Sequence, residues 1–99
     1  MIRKVVIAAG LLLAGVATAM AQQAPSWMKP GAGQEATAIS CAVCHTLDYV
    51  RMNSPFLSPD GWKAEVTKMR QAFGAPIDDD TAAQILQYLD ANFAAPPKP

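Results

Sequence analysis

Cys41-Ala42-Val43-Cys44-His45, followed by Thr46-Leu47-Asp48-Tyr49, is the stretch on which the fold turns. Two cysteines two residues apart, with histidine directly after the second, form the attachment signature of haem c. The spacing has a geometric reason. Each thiol adds across one vinyl group on the porphyrin edge, and two intervening residues let the backbone span that edge. The next residue then turns back over the ring, so the His45 imidazole can reach the iron from one face. Cys41 and Cys44 are therefore the candidate thioether residues and His45 the first candidate iron ligand. The chain is predicted to carry one covalent haem c.

Other uses of the two cysteines fit the rest of the chain less well. A Cys41–Cys44 disulfide suits an oxidising compartment. A thioredoxin-like redox pair needs a strand–helix pattern, and no segment here shows strand alternation. Structural zinc wants four ligands, against two cysteines and one histidine in the sequence.

Upstream, Met1-Ile2-Arg3-Lys4 is a short basic start, and Val5 to Met20 carries no charge. Ala19-Met20-Ala21 has the small-x-small pattern of a cleavage site. Residues 1–21 are read as a secretory signal peptide, which predicts export to the periplasm. A spanning helix wants roughly 20 apolar residues, so no membrane span is expected after cleavage. Loss of Arg3 and Lys4 leaves six basic against eight acidic residues, a formal charge of −2. That balance excludes nucleic acid as a main partner, since phosphate binding needs clustered Lys and Arg. The remaining chain, about 78 residues, is short for a self-sufficient core and calls for a staple. A covalent haem meets that need.

Residues 22–33 are rich in Gln, Pro and Gly and read as an extended arm, with Trp27 and Met28 free to dock on the domain or on a partner. Residues 34–95 form the expected domain and 96–99 a tail. Glu35 to Ser40 is a short helix leading into the cysteines. Thr46 to Asp60 is mostly loop, because of Asn53-Ser54-Pro55 and Ser58-Pro59-Asp60-Gly61. Ser58 is an N-cap and Pro59 a first helical residue. Trp62, Val66, Met69 and Phe73 then recur at i, i+4, i+7 and i+11, one face of a helix that Gly74 and Pro76 close. Asp78-Asp79-Asp80-Thr81 opens the last helix. Its apolar stripe is Ala82, Ile85, Leu86, Leu89 and Phe93, and Pro96-Pro97 ends it.

The second iron ligand follows by elimination. His45 is the sole histidine, so bis-histidine ligation within the chain is excluded. Methionine is the other common choice and raises the potential. Met1 and Met20 leave with the leader, and Met28 sits in the arm. Met52 lies only seven residues beyond His45, a short path around the ring edge. Met69, on the apolar stripe, is favoured, with Met52 as the alternative. His45 should donate Nδ1–H to a carbonyl, with Pro55 as a candidate. Trp62 and Tyr49 are placed either against the ring or in the core. Arg51 is read as a solvated arginine unless it pairs with a propionate.

These residues resemble the monohaem cytochrome c subunit of bacterial sulfite dehydrogenases (sulfite:cytochrome c oxidoreductases). The resemblance covers most of the chain after the leader. It rests on Cys41-Ala42-Val43-Cys44-His45 with Asp48-Tyr49, on Trp62-x-x-Glu65-Val66-x-Lys68-Met69, on Gly74-Ala75-Pro76-Ile77-Asp78, and on Ile85 with Tyr88-Leu89. It implies an all-α, class I cytochrome c-like fold around one covalent haem c, with Met69 as axial ligand. It also implies a molybdenum-cofactor sulfite-oxidising subunit as electron donor and a downstream c-type cytochrome or oxidase as acceptor. The chain alone has no site for sulfite and is not catalytic by itself. A free monohaem carrier, or the cytochrome of another periplasmic dehydrogenase, is the alternative function.

Overall fold

The computed structural model describes residues 24–98. The expected leader, residues 1–21, lies outside them. Four helices follow in order: α1 (Gln34–Cys41), α2 (Asp48–Asn53), α3 (Pro59–Gln71) and α4 (Asp79–Asn92). No strand occurs among the described residues, so the fold is all-α. No helix among them is long and apolar enough to cross a membrane.

Local chemistry accounts for the helix ends. Ser58 has extended backbone, and its side chain accepts from Gly61 N–H at 3.3 Å, with Pro59 next in line. This satisfies a donor that the first helical turn leaves free. Asp78 does the same for α4, accepting from Thr81 N–H at 2.7 Å. Its carboxyl is held below the ordinary range by the hydrogen bonds from Thr81. Helix α3 stops at Gln71, and Gly74 follows with φ +67°, a left-handed angle that glycine adopts without strain. Ala75 N–H then donates back to the Met69 carbonyl at 2.9 Å.

Helix α4 is the centre of the packing: α1 and α3 both lie against it. Ile85, Tyr88 and Leu89 on α4 are buried, as are Trp62 and Val66 on α3 and Ala38 on α1. The approach of α1 is close. A Cβ on Gly33 would stand 2.5 Å from the Gln84 carbonyl oxygen and 2.9 Å from Tyr88 Cβ, and Gly33 has φ +87°. Only glycine fits that crossing without movement.

Four expectations are corrected. Residues 46–60 are more than a loop, because Asp48–Asn53 is helical and buries Val50. Phe73 does not continue the buried stripe and is 72% exposed. The physical reason is that α3 ends at Gln71, so helical phase no longer governs position 73. Tyr88, outside the expected stripe, is fully buried because its hydroxyl finds a partner, donating to the Lys29 carbonyl at 2.6 Å. The arm is not extended over its described length either. Met28 N–H closes a turn onto the Pro25 carbonyl at 2.9 Å, and the Met28 side chain is 3% exposed within the core. Trp27 meets the Phe93 ring edge-on, centroids 5.9 Å apart.

Candidate haem site

Helix α1 delivers Cys41 in its last turn, buried. Burial pushes the Cys41 thiol up to about 11, so it is protonated at neutral pH. The chain then makes a turn through residues 42–44. This leaves Cys44 exposed, and neither cysteine is engaged in a disulfide. His45 follows, half-buried. Its Nδ1 lies 2.8 Å from the Thr46 carbonyl oxygen, which fixes the proton on Nδ1 and leaves Nε2 as the lone-pair nitrogen. The orienting carbonyl is thus that of Thr46 rather than Pro55. It is nearer because the backbone turns immediately after the histidine.

Helix α2 brings Tyr49 beside the imidazole, ring centroids 5.0 Å apart and tilted by 43°. The Tyr49 hydroxyl donates to Glu65 Oε2 on α3 at 2.7 Å. Lys68 Nζ donates to the other oxygen, Oε1, at 3.0 Å. The Tyr49 bond is the largest cause holding the Glu65 carboxyl below its usual range. Reciprocally, that bond, with some burial, pushes the Tyr49 phenol up to about 12. Trp62, by contrast, belongs to the core, where its indole N–H donates to the Phe93 carbonyl. Arg51 pairs with Asp48 at 2.8 Å on the surface and lies over the Trp27 ring.

One cleft collects these elements. Its volume is about 430 Å³, and its wall is mainly apolar. Cys41, Val43, Cys44 and His45 line one side; Glu65, Lys68 and Met69 of α3 line another. Phe73, Ala75 and Ile77 close the third. The backbone reaches them through left-handed Gly74 and a tight turn in which Ile77 N–H donates to the Ala75 carbonyl at 2.8 Å. The size falls within the range of pockets that hold cofactor-sized ligands, about 300–1,000 Å³. Val43 and Phe73, both lining the cleft, are exposed to solvent. A large flat apolar group seated there would cover them.

Of the described methionines, Met69 alone shares this cleft with His45. Met52 is 68% exposed on α2 and does not line it. Met28 is sequestered in the core. The donor set therefore fits a haem: two thiols at attachment spacing, an imidazole with free Nε2, a thioether and an apolar wall. Among the described residues, no three His, Cys, Asp or Glu side chains converge as a separate metal site.

The sequence reading missed Glu65 and Lys68 as parts of this wall, and the apolar triplet 73–75–77. The Tyr49–Glu65 bond joins residues 16 apart across two helices, a relation that no helical period marks. Comparison with family models, with characterised proteins and with solved structures finds no match for the chain.

Proposed function

We propose that this chain is an exported electron-transfer subunit carrying one haem c. In this reading it accepts electrons singly from a molybdenum-cofactor sulfite-oxidising subunit and passes them to a downstream c-type cytochrome or oxidase. The observation that carries it is the convergence of Cys41, Cys44, His45 and Met69 on one apolar cleft. The bound haem would supply the one-electron change at iron. The chain's own residues do the rest. Cys41 and Cys44 tether the porphyrin edge. His45, its Nδ1 held by Thr46, presents Nε2. Met69 presents a thioether from α3. The apolar wall excludes water, and with methionine ligation this favours a higher potential. The sulfite partner rests on the resemblance of the motif-bearing stretches, and the periplasmic location on residues 1–21.

A free monohaem carrier is the second reading, favoured by one observation. Trp27 and Met28, the apolar side chains of the arm, are spent on the chain's own core.

The test uses the exported protein from its native host. Haem should stay bound through denaturing electrophoresis and be lost from a Cys41→Ala, Cys44→Ala double variant. Size-exclusion chromatography with haem and molybdenum analysis then separates the two readings. Co-elution with sulfite-dependent haem reduction supports the subunit. A monomer peak without molybdenum supports the carrier. Absence of covalent haem from the wild type overturns both.

A further inference from the structure

We infer that Tyr49 and Glu65 are a positioning pair: their hydrogen bond holds the wall bearing His45 and the wall bearing Met69 at the spacing that keeps the methionine on the iron. The inference rests on the haem reading above and deepens it.

The helix pairs that pack are α1 with α4 and α3 with α4. Helix α2, which directly follows the His45 turn, belongs to neither pair. Its link to α3 is therefore a matter of side chains. Tyr49 lies four residues after His45 and already touches the imidazole. Glu65 lies four residues before Met69, one helical turn away on the same face. The bond between them, 2.7 Å from phenol oxygen to carboxylate oxygen, has the length of a charge-assisted contact. Both side chains line the cleft. The strut thus crosses from the element of one ligand to the element of the other.

The carboxylate is well suited to this role. Both of its oxygens are engaged, Oε2 by Tyr49 and Oε1 by Lys68. Lys68 is half-exposed, so its ion pair is screened and contributes little alone. The phenol bond is the stronger restraint. A neutral thioether is a weak ligand without charge to pull it inward, so its bond depends on being held in place by its surroundings. Neither residue touches the iron. They act through Met69 and His45.

The test compares four variants of the haem-loaded protein. Tyr49→Phe removes the donor, and Glu65→Ala removes the acceptor. Each should weaken the methionine–iron charge-transfer band at room temperature and lower the midpoint potential, because a fraction of the protein loses its thioether ligand. Glu65→Gln keeps an oxygen that can accept from Tyr49, and should retain the band. Tyr88→Phe removes a hydrogen bond of similar length outside the cleft, 2.6 Å to the Lys29 carbonyl. It should lower the unfolding temperature yet keep band and potential. The inference is overturned if Tyr49→Phe and Glu65→Ala lose only thermal stability while keeping the wild-type band and potential. It is also overturned if the wild type binds haem without showing the methionine band. A wild type without covalent haem instead removes the reading on which the inference stands.

Discussion

The Trp62 indole N–H donates to the Phe93 carbonyl at 2.9 Å, spanning 31 residues of chain. Trp62 lies in the first turn of the helix that carries Met69, and Phe93 caps the end of the helix against which it packs. The bond is buried, and Phe93 is also the ring on which Trp27 rests. Three segments are thus joined at one residue. Trp62→Phe should leave the Phe93 carbonyl without this donor and open a small void. The cost is about 1–3 kcal/mol for the unsatisfied group. Denaturant unfolding of the haem-loaded protein measures it. The haem spectrum should stay that of the wild type, since Trp62 does not line the cleft.

Gly33 and Gly74 both have positive φ, yet they should respond differently to alanine. At Gly74 nothing lies within 4 Å of the added Cβ, so the cost is that of the left-handed backbone alone, roughly 1–2 kcal/mol. At Gly33 the Cβ collides with backbone of α4 at 2.5 Å. Backbone yields less readily than a side-chain tip, so α1 must shift away from α4. Gly33→Ala should therefore lower the unfolding midpoint well beyond Gly74→Ala. Equal midpoints for the two variants would contradict the close crossing.

The cap on α4 gives a pH dependence with a definite sign. The Asp78 carboxyl is held below its ordinary 3.8 by the hydrogen bonds from Thr81. A carboxyl with a lowered folded-state value contributes stability above its unfolded value. That contribution is lost as pH falls through the folded value. Asp78→Ala should lower the thermal midpoint at pH 6–8 by a constant amount. The gap should begin to shrink as pH falls below about 3.8 and close only once pH has passed the lower folded-state value. Melting curves of both proteins across that range check it.

On the proposed haem reading, the three described methionines should behave differently. Met69→Ala should abolish the methionine–iron band and lower the potential, since thioether ligation raises it. Met52→Ala should do neither, because Met52 lies outside the cleft and is largely exposed. The reverse pattern in spectra and redox titration would transfer the ligand to Met52.

The helices that sequence reading located best are those with self-contained signals. Ser58-Pro59 announces its helix by capping, Asp78-Asp79-Asp80 by carboxylates that suit a helix N-terminus, and Ile85 and Leu89 face inward on a 3.6-residue period. Cys41, Cys44 and His45 stand out by local spacing alone, and all three line one cleft. The departures have separate physical causes. Phe73 was assigned by extending a period past the end of the helix that justified it. Helix α2 was overlooked because six residues give too short a window for periodicity, and neighbouring Asn53-Ser54-Pro55 suggested loop. The burial of Tyr88 and Met28 has another origin. Their burial depends on partners 59 residues away in one case and on the whole core in the other. Such relations are set by tertiary packing and leave no local trace.

Of the two docking places open to Trp27 and Met28, the domain or a partner, the described arm uses the domain. An arm reserved for a partner could be deleted without harm to the domain. This one supplies Met28 to the core, Trp27 to the Phe93 ring, and the Lys29 carbonyl to the buried Tyr88 hydroxyl. Removing it would uncover Phe93 and leave the Tyr88 hydroxyl without its acceptor. Met28→Ala alone removes a buried thioether side chain, a change that costs about 2–5 kcal/mol in well-packed interiors. For a domain this small, that is a large share of total stability, which is on the order of 5–15 kcal/mol. Met28→Ala should therefore unfold at markedly lower denaturant than the wild type, and deletion of residues 22–33 at lower denaturant still. Both losses should appear in the purified chain with no partner present. An isolated deletion variant that unfolds at the wild-type midpoint would show that the arm is not part of the core.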